Sequence, residues 1–343
     1  MNYIGSKYSL LDFIYSSIEK TLAANGDERT PSELCFAELL AGTGVVSAFF
    51  KEKGFSVIAN DIQYYSYVIL KHILENNDLD ESRALSLIDE LNSLDGQEGF
   101  IYKNYSLTGS ENSDFRRMYF SDENAKKCDA IRTAIEEKHI KNEITDGEYY
   151  FLLASLINSI DKYANTASVY GAFLKTLKRS AQKEMVLTPY PVLKGSAKYK
   201  TYNKDISELI TEVSGDILYL DPPYNARQYC TNYHLLETIA RYDEPTIKGK
   251  TGLREYSAQK SAFCEKAKVE KAFTDIIKNA NFKYIFLSYN NEGLMSFESI
   301  EKIMRKYGKY KVYIKEHRRF KADSARDAKA DSTVEYLHCL VKK

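Results

Sequence analysis

Ile217-Leu218-Tyr219-Leu220-Asp221-Pro222-Pro223-Tyr224 is the stretch that decides the fold. Four consecutive apolar residues read as a strand buried on both faces, the habit of parallel sheets. The acid that follows then sits at the carboxyl end of that strand, where open α/β sheets hold their ligands. Two prolines fix φ and donate no backbone hydrogen bond, so they make a stiff turn that presents Asp221 and Tyr224 in set directions. The pair suits a flat nitrogen heterocycle with an exocyclic amine: the carboxylate accepts an N–H, a prolyl carbonyl accepts another, and the phenol ring stacks on the base. A Pro-Pro loop with a capping Asp accounts for the same residues without a ligand.

Working outward, Phe36-Ala37-Glu38-Leu39-Leu40-Ala41-Gly42-Thr43-Gly44 lies between a short apolar strand and a helical pattern starting near Val45. Its close glycines let a ligand approach the backbone, although a tight turn is their commoner meaning. The next strand ends at Asp61, placed to accept hydrogen bonds from ribose hydroxyls. Neither GxGxxG nor GxxxxGK[ST] occurs, which argues against a dinucleotide or triphosphate. Strands are predicted at Leu34–Glu38, Ser56–Asn60, Tyr199–Tyr202, Asp216–Leu220, Lys283–Ser288, Lys311–Lys315 and Val334–Val341. Helical patterns at Val45–Lys53, Tyr64–Glu75, Ile206–Val213, Ala262–Ala280 and Phe297–Lys306 separate several of them, so a parallel sheet with right-handed crossovers is expected. The polar connector Arg318–Ser332 between the last two suits an antiparallel excursion at the sheet edge. Between Leu79 and Lys198 the pattern is mainly helical, with Glu148–Tyr163 its clearest amphipathic segment, and Ser110–Ser113 and Pro189–Gly195 read as joints.

The 343 residues carry 48 basic and 48 acidic side chains, and 44% are apolar. That suffices for a substantial core, in one large α/β domain with an inserted lobe or in two domains. No long apolar run and no basic-then-apolar N-terminal signal occurs, so the expectation is a cytosolic protein with no membrane association. Cys35, Cys128, Cys230, Cys264 and Cys339 are scattered without a CxxC pair, so neither a metal site nor a disulfide framework is expected. The absence of a Pro-Cys dipeptide removes the nucleophile signature of cytosine-C5 methyltransferases.

Together the motifs resemble the D12 class of N6-adenine DNA methyltransferases, relatives of the Dam methylase that use S-adenosylmethionine, and the resemblance extends through most of the chain. Asn2-Tyr3-Ile4-Gly5-Ser6-Lys7 resembles the family's N-terminal cofactor motif, Glu38 to Gly44 its glycine motif, Asp61 its ribose acid and Asp221 to Tyr224 its catalytic motif, in the family's order. Leu40 departs from the usual Phe, a swap of large apolar groups. The resemblance implies a seven-stranded mixed, Rossmann-like sheet, with residues 1–78 and 199–343 forming the cofactor-binding catalytic domain and 79–198 an inserted target-recognition lobe. It also implies cofactor contacts from Tyr3, Lys7, Glu38, Ala41, Gly42, Thr43, Gly44, Asp61, Ile62, Asp205, Ile206 and Asp221, and catalysis by Asp221, Pro222, Pro223 and Tyr224. Within that picture Lys7 approaches the methionine carboxylate and Asp205 the adenine amine. Asp205 reads equally as the N-cap of its helix.

Double-stranded DNA is the expected partner, and the charge distribution supports it more than the neutral sum. From Lys162 to Lys204 nine Lys or Arg residues face one acid, Glu184. Lys175, Lys178 and Arg179 read as phosphate contacts, with a solvated face as the alternative. Arg227 and Gln228 follow the catalytic turn and could reach DNA beside an extruded base, and Lys248, Lys250 and Arg254 occupy a Gly-containing loop that could add contacts. Capping or salt bridging inside the protein explains Arg227 and Gln228 about as well. His234 reads as a packed or hydrogen-bonded histidine, because amine methylation needs no imidazole nucleophile. Segments Ala164–Lys175, Asn225–Tyr229 and His234–Glu237 resemble restriction-modification methylases of the class, which implies a functional pairing with a restriction endonuclease. An RNA base methyltransferase, or a non-catalytic DNA-binding protein of the same fold, are the alternatives.

Overall fold

A computed structural model describes residues 3–318 and 332–343. All seven expected strands form: β1 (Cys35–Glu38), β2 (Ser56–Asn60), β3 (Tyr199–Tyr202), β4 (Ser214–Leu220), β5 (Asn281–Asn290), β6 (Gly308–Arg318) and β7 (Ser332–Lys342). They build one sheet in the order β3-β2-β1-β4-β5-β7-β6. The strands from β3 across to β5 pair in parallel, and β7 runs antiparallel to both β5 and β6. The mixed sheet expected above is thus observed. β6 and β7 extend well beyond their apolar runs, because an antiparallel ladder is held by backbone bonds and continues through polar residues. Residues 319–331 of the connector between them, and Asn2 of the N-terminal motif, lie outside the described residues.

Helix boundaries differ more. The expected helix Ala262–Ala280 is broken into a short 3₁₀ turn, Ala262–Cys264, and the helix Val269–Asn279, with the Ser261 side chain capping the first piece. Ile206–Val213 shortens to Ile206–Leu209. Tyr64–Glu75 is α-helical only to Leu70 and then widens into a π turn, Lys71–Glu75. His72 in that turn is buried, with Nε2 at 3.0 Å from the Pro191 carbonyl and Nδ1 at 3.2 Å from the Asn76 amide.

The chain divides into two compact units. The sheet unit comprises Lys7–Ile62, Ala197–Gln228 and Lys260–Lys343, and the helical unit comprises Met1–Ser6, Gln63–Ser196 and Tyr229–Gln259. The helical unit is therefore wider than 79–198, taking in the helices Tyr64–Leu70 and His234–Arg241 as well. Its long helix Asp146–Tyr163 begins with a capping box between Thr145 and Glu148. That helix is buried on most of its circumference, from Phe151 through Ile160, so it is a core helix rather than a half-exposed one. Ser110–Ser113 is no joint: Ser110 is buried inside this unit and accepts the Arg117 N–H at 2.8 Å.

In the sheet unit, Ile217, Leu218, Tyr219 and Leu220 are all buried, as the opening stretch predicted. β1 lies between β2 and β4, so the chain moves outward to β3 on one side and returns to continue on the other. The carboxyl ends of β1 and β4 thus mark the topological switch point, the place such sheets offer a ligand.

Candidate active site

Glu38 closes β1, and Asp221 follows β4 directly. Glu38 is buried, and its Oε2 accepts both the Ser47 N–H at 2.8 Å and the Ser47 hydroxyl at 2.5 Å. Ser47 belongs to the first turn of the helix Val45–Glu52, so the helix start and the glutamate hold each other. Burial raises the Glu38 pKa to about 8 against the pull of Ser47, and the charges of Asp221 and Asp61 push it in the same direction. Three carboxylates, at the ends of three neighbouring strands, therefore share one electrostatic environment.

Asp221 is held from two sides. Its Oδ2 is 2.9 Å from the ammonium of Lys7, which is buried, and its Oδ1 accepts the Tyr224 hydroxyl at 2.9 Å. Tyr224 also lies 3.3 Å from the Ser288 hydroxyl on β5, and its ring packs on Tyr289 with centroids 4.9 Å apart. The Lys7 ammonium stands 4.9 Å from the Tyr224 ring centroid. The stiff turn at Pro222 and Pro223 is fastened downstream as well, because the Tyr224 carbonyl accepts the Leu294 N–H at 3.0 Å. Lys7 is thus brought to the proline turn itself, a contact distinct from the cofactor role expected for it.

Beside this, Gly42 and Gly44 take left-handed φ values of 53° and 71°, a conformation that favours glycine and bares the backbone. Asp61 Oδ2 accepts the Gly42 N–H at 2.8 Å, which ties the acid after β2 to the glycine turn after β1. Asn60 is the stitch that sequence reasoning missed. Its amide donates to the Leu39 and Lys204 carbonyls at 3.0 Å each and accepts the Lys204 N–H at 2.9 Å, joining the loops after β1, β2 and β3. Asn203 adds a 2.7 Å bond to the Asp61 carbonyl. Ala41 is buried, and Thr43 and Ile62 are half-exposed beside it. Asp205 caps its helix, accepting from Ser207 N–H at 2.7 Å, and Ile206 joins the core. Leu40, the departure from the family pattern, packs against that same core. A turn of bare backbone flanked by clustered carboxylates and one lysine fits a nucleoside ligand that carries positive charge and a carboxylate, as S-adenosylmethionine does.

The remaining residues separate into engaged and exposed ones. In the helical unit, Tyr3 stacks on Tyr233 with centroids 4.6 Å apart and shares a 3.2 Å contact with the Tyr65 hydroxyl. Gln228 spends both ends of its amide on Ser261, at 2.8 and 3.1 Å, so a base contact would cost it those bonds. Arg254 is buried and forms a bidentate pair with Asp243 at 2.9 and 2.6 Å, which makes it a structural arginine in this conformation. Lys178 is half-buried and donates to the Thr166 carbonyl at 2.9 Å. Lys175, Arg179, Arg227, Lys248 and Lys250 are exposed. His234 is buried with Nε2 at 3.0 Å from the Tyr170 carbonyl, and burial lowers its pKa to about 4, in keeping with a packed histidine.

The family model of D12 class N6 adenine-specific DNA methyltransferases matches residues 3–330. The chain belongs to that class. It is 50% identical to the type II methyltransferase M.NlaIII of Neisseria lactamica, over 100% of this chain and 99% of that protein. Identity to the type II methyltransferase M.CviAII of Paramecium bursaria Chlorella virus 1 is 37%, over 98% of this chain and 97% of that protein. Identity to M.FokI of Planomicrobium okeanokoites is 39% over 96% of this chain, which spans 51% of that larger protein. Membership of the class implies S-adenosylmethionine as methyl donor. Among the described residues no group of His, Cys, Asp and Glu could hold a metal ion, and no helix is long and apolar enough to cross a membrane.

Proposed function

We propose that the protein is the protective methyltransferase of a type II restriction-modification system, paired with a restriction endonuclease and methylating adenine N6 at one sequence in duplex DNA. The single observation that carries the mechanism is Asp221, fixed at the end of β4 by Lys7 and Tyr224 beside the Glu38–Asp61 edge.

Adenine N6 has its lone pair delocalised into the ring and is a poor nucleophile until its geometry becomes pyramidal. The cofactor supplies a methyl group made electrophilic by its sulfonium. Asp221 accepts a hydrogen bond from one amino N–H and the Pro222 carbonyl from the other, which directs the developing lone pair, and the surplus proton of the methylated nitrogen is then lost to solvent. An ionised carboxylate offers about four acceptor positions, so Asp221 receives the substrate while keeping the Tyr224 hydroxyl. Catalysis on this scheme is mostly alignment and electrostatic stabilisation. A base stacked in a duplex cannot reach Asp221, so it must be extruded at a cost of a few kcal/mol. Stacking on Tyr224 offsets about 1–3 kcal/mol of that. Glu38, Asp61 and the Ala41–Gly44 turn hold the cofactor, with Ile62, Asp205 and Ile206 completing its surroundings. Lys175, Arg179, Arg227, Lys248 and Lys250 are the exposed cations that meet DNA.

Transfer of a tritiated methyl group to duplex DNA and to structured RNA, followed by nucleoside analysis, tests the reading. N6-methyladenine in the DNA alone is the expected result. Label confined to RNA overturns it.

A further inference from the structure

The site contains a carboxylate that none of the motifs includes. Glu335 lies on β7 opposite Asn290 of β5, and Leu337 lies opposite Ser288. Opposed residues of an antiparallel pair point to the same face, and residues two apart along a strand share it, so Glu335 and Ser288 are diagonal neighbours on one face. Ser288 is the residue whose hydroxyl lies 3.3 Å from Tyr224. That face looks onto the helix Leu11–Ala24, because Cys339, two steps further on, meets Thr21 of that helix at 3.6 Å. Lys7 lies just ahead of the same helix.

Glu335 Oε2 is buried and has no hydrogen-bond partner among the described residues. A buried carboxylate oxygen left this way costs free energy, so its retention calls for a role. Lys315, opposite Glu335 on β6, does not supply the partner: its ammonium is 3.5 Å from the Ser9 carbonyl and 5.7 Å from the Phe13 ring centroid. The electrostatic neighbours of Glu335 are Lys7, which favours its charged form, and Asp221, which opposes it, while burial raises its pKa overall. Tyr219 and Tyr224 both feel its charge in turn.

We propose that Glu335 is a positioning residue for methyl transfer, sharing Lys7 with Asp221 so that the ammonium has a second acceptor when the adenine amine arrives. The inference rests on the reading of Asp221 given above. In the structure the Lys7 ammonium lies 2.9 Å from Asp221, the group that must accept the hydrogen bond from N6. Lys7 cannot turn aside without an anion to receive it, because an uncompensated charge in a buried site is expensive. Glu335 is that anion, and the exchange moves no covalent bond.

The test compares the parent protein with Glu335→Gln and Glu335→Asp. Glu335→Gln should lower kcat about tenfold with both KM values within about twofold, the signature of an interaction needed at the chemical step. Glu335→Asp should recover part of that loss. The Lys7 Nζ nitrogen resonance of the cofactor-free protein, assigned with Lys7→Arg, should shift in Glu335→Gln. A Glu335→Gln enzyme with parent kcat overturns the proposal, as does a loss of kcat with the Lys7 resonance unmoved. If the parent itself methylates no adenine, the functional reading falls, and the Lys7 resonance still decides whether Glu335 and Lys7 are coupled.

Discussion

The two units bury charge to opposite ends. In the helical unit the buried acids and Arg132 are tied down by several partners, while Arg117 bonds the Asn104 and Gly249 carbonyls and leaves its Nε unbonded. Asp129 accepts the N–H groups of Gly99, Ile101 and Tyr102 at 2.8–3.1 Å and the Tyr242 hydroxyl at 2.6 Å. Arg132 donates to the Ile239 and Ala240 carbonyls and pairs with Glu136 at 2.8 Å. Glu237 takes Tyr65 N–H, Arg241 and Gln259. In the sheet unit Asp27 is bonded by Arg29 and Tyr284, but the acids around the candidate site are crowded rather than saturated: Glu38 is raised to about 8 with Asp61 and Asp221 adding to the push, and Glu335 keeps one oxygen unbonded. Saturated charges specify a structure, whereas crowded ones hold free energy that a ligand can relieve.

Removing one carboxylate from each unit should therefore give different phenotypes. Asp221→Ala should lower methyl transfer about a thousandfold, the scale of losing a group aligned with developing charge, while the melting temperature falls less than in Asp129→Ala of the helical unit, because Glu335 remains to compensate Lys7. Steady-state transfer assays and a thermal melt read both quantities, and near-parent transfer would make the proline turn merely structural. Asp129→Ala should do the reverse. Stranding three helix-start N–H groups and a tyrosine costs about 3 kcal/mol of stability, visible as a fall in the denaturation midpoint, with kcat of the folded protein unchanged.

Next in size is the cofactor edge. Asp61→Ala should weaken S-adenosylmethionine binding about 30-fold, the loss expected for hydrogen bonds to a charged acceptor, and calorimetry measures it directly. Glu38 adds a pH signature whose sign is fixed. Its folded pKa of about 8 lies above its ordinary 4.5, so the protonated form is favoured in the fold. Its contribution to stability is full below pH 4.5 and is lost as pH rises towards 8. A positively charged ligand favours the ionised form, so binding near pH 7 should release a proton and tighten by up to about tenfold per pH unit below that pKa. Glu38→Gln should flatten both slopes. Calorimetry in buffers of different ionisation enthalpy detects the proton, and an unchanged slope in Glu38→Gln assigns it elsewhere.

Legibility followed the length scale of the signal. Unbroken apolar runs made β4 and its neighbours readable, and the Asp221–Tyr224 turn was readable because proline stiffness is local. The Lys7–Asp221 pair joins distant parts of the chain, so its two ends were visible only as separate motifs. Glu335 sits in a strand whose sequence alternates without announcing which face is buried. Sequence offers Arg254 to DNA, and Gln228 about equally to DNA or to a contact inside the protein, because it names a side chain but not the Asp243 or Ser261 that occupies it. The helical unit is assembled from discontinuous segments, and no local composition marks Gln63 or Tyr229 as a crossing point.

That same distinction between occupied and exposed side chains sharpens the smallest effect, the salt dependence of DNA binding. Lys175, Lys178 and Arg179 are neighbours in the chain, yet only Lys175 and Arg179 are exposed, while the Lys178 ammonium donates to the Thr166 carbonyl at 2.9 Å. Each phosphate contact contributes about 0.9 to the slope of log affinity against log salt on B-DNA. Replacing Lys175 and Arg179 with Gln should therefore reduce the slope by about 1.8, equally on cognate and unrelated duplexes, because backbone contacts carry no sequence information. Lys178→Gln should leave the slope unchanged and instead lower the melting temperature through its lost carbonyl bond. Fluorescence anisotropy titrations from low to moderate salt separate the cases. A slope that falls with Lys178→Gln would show that Lys178 leaves Thr166 on binding, and one that ignores Lys175 and Arg179 would assign them to solvent.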